Sequence, residues 1–216
     1  MFERAVLGVD PGIATAGLAV VALSDRKPVL VWSTTVRTPA GAEEPGRLRT
    51  LYGAVRDALA EHHPEAVAVE RLMWGRNVGS AMSVARATGV VLLAAADAGV
   101  PVDEYPPLEV KMAVTGIGNA GKDQVRQALL RTHSLQDVPS QPDAADAVAV
   151  ALCHLTQSPL RRLHRSSPSA SIQNVTLISG MPVGIGGIPR SGVNETTDGT
   201  RTCLRRSGMT RGRPVR

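Results

Sequence analysis

Aromatic residues are nearly missing: Phe, Trp and Tyr make up 2% of the 216 residues. A core without rings must be filled by the Ala, Val and Leu that dominate a hydrophobic content of 43%. The same scarcity argues against a platform that stacks successive single-stranded bases on aromatic faces. Cysteine is sparse too. Cys153 and Cys203 supply neither a disulfide framework nor metal-ligand spacing, and Cys153, in an apolar helical run, reads as a small core residue. No apolar stretch approaches the roughly 18–20 residues of a membrane-spanning helix. The opening MFERAVLGVD lacks the charged-then-apolar layout of a signal peptide. These absences point to a cytoplasmic protein with no membrane partner.

Positive charge is present but unevenly placed. The net charge is +5 and the pI about 9.9, which invites a nucleic-acid reading. Residues 1–159, however, hold 14 Lys and Arg against 17 Asp and Glu, while residues 160–216 hold 10 Arg against Glu195 and Asp198. The basic character belongs to the C-terminal segment. Contacts between the rest of the chain and a polyanion must therefore come from local basic groups beside an acidic, cation-neutralised site.

Hydrophobic periodicity divides the chain. Residues 4–9 and 17–23 are Val/Leu/Ala runs on either side of DPGIATA, a hairpin whose turn follows Asp10 directly. A third strand spans 28–37. Leu48, Leu51, Val55 and Leu59 then recur at helical spacing, and AVAVE forms a short buried strand ending at Glu70. The spacing predicts a long helix over 78–98, a strand near 100–105, a helical LEVKMAV segment, and a helix in GKDQVRQALLRTH. A last helix opens at Asp143 and runs to His154 or slightly beyond. Three opening strands followed by helix–strand units predict an α/β domain with a mixed sheet. From about residue 158 the chain is rich in Ser, Gly, Pro and Thr without periodicity. The expected division is a folded domain at 1–158 and a disordered basic tail at 159–216.

Four acids carry the chemical signal: Asp10, Glu70, Asp143 and Asp146. Each ends an apolar strand or opens an apolar helix, where a carboxylate stands at the rim of a core. Gathered without matching cations, such groups are costly unless something positive joins them. Mg²⁺, which takes carboxylate oxygens, is the natural candidate. Asp143 and Asp146 are three apart and share one helix face, at a helix start that tolerates negative charge. Bland readings exist for each alone. Asp-Pro-Gly is a common turn, Glu70 beside Arg71 suits a strand-end ion pair, and Asp143 suits a helix cap. Gly116-Ile-Gly118-Asn-Ala-Gly121 matches a dinucleotide fingerprint in letters only, because it follows a helical segment and opens no βαβ unit. It reads as a flexible turn.

VLGVDPG, VAVER at 67–71, the Lys111–Lys122 segment KMAVTGIGNAGK and DAADAVAVALCH at 143–154 together resemble the RuvC family of Holliday-junction resolvases, within the ribonuclease H-like superfamily. The resemblance covers about residues 5–158. It implies a ribonuclease H-like mixed β-sheet flanked by helices on both faces. It also implies a crossover junction endodeoxyribonuclease that nicks four-way junctions symmetrically and leaves 5′ phosphates. Asp10, Glu70, Asp143 and Asp146 fall on the family's catalytic, metal-binding acids. They would share two Mg²⁺ ions, with Mn²⁺ a possible substitute. Lys111 and Lys122 match its basic residues near the cut. Where the family places an aromatic wedge, this chain has Met73, followed by Trp74. Arg76 and Asn77 are expected to face DNA. The implied partners are four-way junction DNA, a second copy in a homodimer built partly through helix 78–98, and a branch-migration helicase complex. Other nucleases of the fold and actin-like or sugar-kinase domains, which also open with an Asp–Gly strand turn, are the competing readings. The kinases are larger than this ordered segment.

Overall fold

The computed structural model describes residues 4–71 and 78–165, with backbone alone for Val78, Ser80 and 158–165. The elements in chain order are β1 (Arg4–Asp10), β2 (Thr15–Ser24), β3 (Lys27–Arg37), α1 (Glu44–His62) and β4 (Ala66–Glu70). They continue with α2 (Val78–Asp97), β5 (Val102–Tyr105), α3 (Pro107–Thr115), α4 (Lys122–Arg131) and α5 (Pro142–Arg165). The strands form one mixed sheet in the order β3-β2-β1-β4-β5. β1–β2 and β2–β3 are antiparallel hairpins, whereas β4 runs parallel to β1 and β5 parallel to β4. The expected α/β domain with a mixed sheet and helices on both faces is what forms.

Strand alternation sorts the sheet into two cores, because successive side chains point to opposite faces. Leu7, Val9, Leu18, Val20, Val67 and Val69 pack beneath α1 and α2. Val6, Ala19, Val21 and Ala68 pack beneath α5, with α3 and α4 beside it. Val, Ala and Leu fill both layers, and among the described residues Tyr105 is the one aromatic side chain wholly enclosed. An Ala-rich α5 brings its backbone close to the sheet.

Two local features matter for the site. Gly116, at φ 72°, ends α3 in the left-handed conformation, and its N–H caps the Met112 carbonyl, as a C-terminal glycine does. The segment read as a turn is thus the α3–α4 connection. Pro142 opens α5, so Asp143 lies in the first turn of the helix. α5 also runs on past 158 to Arg165. Among the described residues no helix is long and apolar enough to cross a membrane.

Candidate active site

Parity places the first two acids. Asp10 shares a sheet face with Val6, on the α5 side. Val9 pairs with Val69 across the parallel β1–β4 ladder, so Glu70 is the next residue along and shares the face of Ala68. The two strands end side by side, and their last residues are both acids. Asp10 and Glu70 are close enough for their side chains to perturb one another, and both carboxyls are raised above their ordinary values.

α5 brings the other pair to the same place. The Asp10 carboxyl is pushed up to about 7, first by burial and then by the charges of Glu70, Asp146 and Asp143. Glu70 is also raised, chiefly by burial and next by Asp146, with Lys122 and Lys111 acting in the opposite direction. Asp143, Asp146, Lys111 and Lys122 thus each lie within electrostatic reach of Asp10 or Glu70 at the rim of the sheet. Each shift is the response of a carboxylate losing water and gaining like-charged neighbours.

Lys122 has a partner that explains its position. A cation at the first residue of a helix opposes the helix dipole, yet Lys122 opens α4. Its Nζ lies 2.8 Å from Asp146 Oδ2, and its pKa is raised, first by that hydrogen bond. The opening turn of α4 is further held by the Gly121 N–H donating to Gln124 Oε1 at 2.8 Å. Lys111 sits on α3, within electrostatic range of Glu70.

Among the described residues no group of three or more His, Cys, Asp or Glu side chains is disposed to hold a metal ion. The donor chemistry nevertheless fits a hard divalent cation, being carboxylate oxygen throughout. The elevated Asp10 carboxyl marks a place where added positive charge relieves repulsion. A cleft of about 710 Å³ lined by Arg26, Lys27, His133 and Asp137 lies at the other end of β2 and contains none of these acids.

Met73, Trp74, Arg76 and Asn77 lie outside the described residues. Sequence reasoning passed over two further features. His154 Nδ1 is 3.0 Å from the Tyr105 hydroxyl and 3.8 Å from Asp103 Oδ2, tying α5 to β5 next to Glu70, the ladder partner of Tyr105. Gly8 in β1 and Gly17 in β2 lie directly against the α5 backbone. The signal for the second was a glycine inside each of two apolar strands, where glycine weakens pairing and marks a close backbone approach.

Comparison with known proteins matches this geometry. A family profile described as crossover junction endodeoxyribonuclease RuvC matches residues 6–154. The chain is 44% identical over 158 residues to the protein of that name from Moorella thermoacetica, covering 73% of this chain and 94% of that one. It is 44% identical over 153 residues to the one from Chloroflexus aurantiacus, covering 71% and 93%. Among solved structures, T. thermophilus RuvC in complex with Holliday junction substrate aligns with a TM-score of 0.69 at 36% identity, covering 74% of this chain and 97% of that one. The yeast mitochondrial Holliday junction resolvase, at 14% identity and a TM-score of 0.55 over 74% and 81% of the two chains, shares the fold. With acids converging at the expected strand ends and the profile spanning β1 to α5, the chain belongs to the RuvC family of crossover junction endodeoxyribonucleases.

Proposed function

We propose that this enzyme is a structure-selective endodeoxyribonuclease that resolves four-way DNA junctions by metal-dependent phosphodiester hydrolysis. Asp10, Glu70, Asp143 and Asp146 are its metal-binding acids. The observation that carries the reading is the convergence of two strand ends and one helix start on a single acidic rim, where Asp10 is raised to about 7. Mg²⁺, as two ions with Mn²⁺ an alternative, would be held by these four carboxylates and would supply water activation and leaving-group stabilisation. The chain's own part is to gather the carboxylates, hold the DNA backbone with Lys111 and Lys122, and keep the acids at the sheet rim, where an extended substrate reaches them. A lysine beside the attacked phosphate supports the negative charge that grows there. Met73, Trp74, Arg76 and Asn77, which follow Glu70 in the chain, are proposed to contact the DNA. The products are symmetric nicks with 5′ phosphates.

Two cuts on opposite strands call for two sites, which an isologous homodimer provides. Met82, Ala85, Gly89, Leu92 and Ala96 are all exposed on α2, at alternating spacings of three and four, the period of a helix–helix seam. Among the described residues nothing lies within 4 Å of a Cβ built on Gly89, so their packing gives no reason for that glycine. A second α2 lying close would. The folded unit carries the cleavage chemistry, and the basic C-terminal segment adds attraction to DNA. A branch-migration helicase complex and a cytoplasmic location suit the substrate.

The deciding experiment incubates the protein with a synthetic four-way junction and with linear duplex, with and without Mg²⁺. Paired nicks confined to the junction and dependent on the ion are expected. Asp10→Asn, Glu70→Gln and Asp146→Asn should each abolish nicking while junction binding persists. Mg²⁺-dependent nicking retained by Asp146→Asn would overturn the assignment of that residue.

A further inference from the structure

Asp10 is paired with Gly17 across the β1–β2 ladder, and Gly8 with Ala19. Directly paired residues share a sheet face, so both glycines lie on the face that α5 covers. A Cβ built on Gly17 would stand 1.8 Å from the Asp143 carbonyl oxygen and 2.3 Å from its carbonyl carbon. One built on Gly8 would stand 2.1 Å from the Ala147 carbonyl oxygen, and 2.8 Å from both the Ala151 nitrogen and its Cβ. Most of these obstructions are helix backbone, which no rotamer change removes. Residues 143, 147 and 151 follow one another at intervals of four, a single stripe along α5. α5 therefore rests in a trough whose floor is two glycine hydrogens.

Backbone conformation does not account for these glycines. Positive φ among the described glycines occurs at Gly99 and Gly116, not at Gly8 or Gly17. Glycine in a strand interior forfeits side-chain packing and raises the entropy cost of folding. What remains is the close approach, and it is closest at Asp143 itself.

We propose that Gly17 and Gly8 are positioning residues for cleavage, setting the separation of α5 from the sheet so that Asp143 and Asp146 reach Asp10 and Glu70. The inference rests on the reading of those four acids as the metal site. The two glycines differ in consequence. Gly17 faces the first turn of α5, which a methyl group displaces at the active end. Gly8 faces the middle of the helix within the core, where a methyl group disturbs packing as a whole. Gly17→Ala is the informative variant.

The test uses the full-length protein with Gly17→Ala, Asp10→Asn and a control, Gly53→Ala, in α1, where nothing lies within 4 Å of the added Cβ. Mn²⁺ affinity is measured by calorimetry without DNA, junction binding in EDTA, and kcat and KM with Mg²⁺. Gly17→Ala should unfold cooperatively and bind junction like the parent. Its Mn²⁺ affinity should fall about 10- to 100-fold, as when a support of metal ligands is removed. Its kcat should fall about 100-fold, the effect of misplacement by about 1 Å, with KM little changed. Raising Mn²⁺ should restore part of kcat, which a merely structural defect would not allow. Gly53→Ala should match the parent throughout. Parent-like Mn²⁺ affinity and kcat in Gly17→Ala would overturn the proposal. If that variant does not fold, Ala151→Val, which presses α5 away from Gly8 by a side chain, must show the weakened Mn²⁺ affinity, and parent-like affinity there overturns it equally. Unchanged Mn²⁺ affinity in Asp10→Asn would instead overturn the acid site on which the inference stands.

Discussion

Lys122 Nζ donates to Asp146 Oδ2 at 2.8 Å, joining the first residue of α4 to the first turns of α5. The lysine side chain is 71% exposed, so the pair contributes little to stability, on the order of 1 kcal/mol or less. In the proposed mechanism its value is in placing a cation beside the acids where a phosphate would come. Lys122→Gln is accordingly expected to shift the melting temperature by no more than about 4 °C. It should lower single-turnover cleavage about 100-fold, the scale of removing one donor to developing charge. Lys122→Arg should recover part of the rate. A Lys122→Gln enzyme that cuts at the parental rate would remove the lysine from the mechanism.

The raised Asp10 carboxyl makes a prediction about pH. Its folded value of about 7 lies above the ordinary 3.8. The stability this group allows is fully present below 3.8 and is lost as pH rises through 7, because the unfolded chain releases the proton first. Without divalent ions the melting temperature should fall between pH 5 and pH 8. The loss from this residue is a few kcal/mol at most, on the basis of about 1.4 kcal/mol per pKa unit. Mg²⁺ should stabilise the protein more at pH 8 than at pH 5. Asp10→Asn, which cannot ionise, should flatten the decline. Calorimetric scans at the two pH values, with EDTA or Mg²⁺, decide the matter, and a flat parental profile in EDTA counts against the buried acid pair.

Much of this was legible in the sequence, for physical reasons specific to each residue. Asp10 and Glu70 stood out because an acid ends an unbroken apolar run, and alternation along β1 and β4 then put both on one face. The antiparallel opening followed from the DPG turn. The Lys122–Asp146 bond was not legible, since its partners lie on different helices and their meeting depends on how α4 and α5 pack. The unfavourable dipole at Lys122 hinted only that a partner existed. The approach of Gly17 to Asp143 was hidden for the same reason, because a strand glycine says that something comes near without saying what. The sequence pattern stops α5 too early. The helix passes through Pro159 to Arg165, although proline in a helix interior removes a hydrogen bond and ordinarily ends the pattern.

The seam on α2 predicts how the enzyme assembles. Met82 is 45% exposed and Leu92 38%, and a charge at either would be buried without a partner in a dimer. The double variant Met82→Glu/Leu92→Glu should sediment as a monomer at micromolar concentration while keeping the parental circular dichroism spectrum. On a four-way junction it should give single nicks in place of paired ones. A double variant that remains dimeric would move the interface elsewhere.

The C-terminal segment can be tested apart from the chemistry. Residues 166–216 add seven Arg and two acids, whereas every acid of the proposed site precedes Ala147. Because α5 extends to Arg165, the informative truncation ends there and leaves the helix whole. Each lysine or arginine that neutralises a phosphate releases counterions. Removing such a group flattens the dependence of log affinity on log salt by about 0.9 for every phosphate left bare. The truncated protein should cleave junctions at the parental kcat with Mg²⁺. Its junction affinity should be weaker at low salt and should converge with that of the full chain as salt rises. Loss of kcat at saturating junction would place part of the catalytic apparatus in the tail, and an unchanged salt slope would show that its arginines do not touch the DNA.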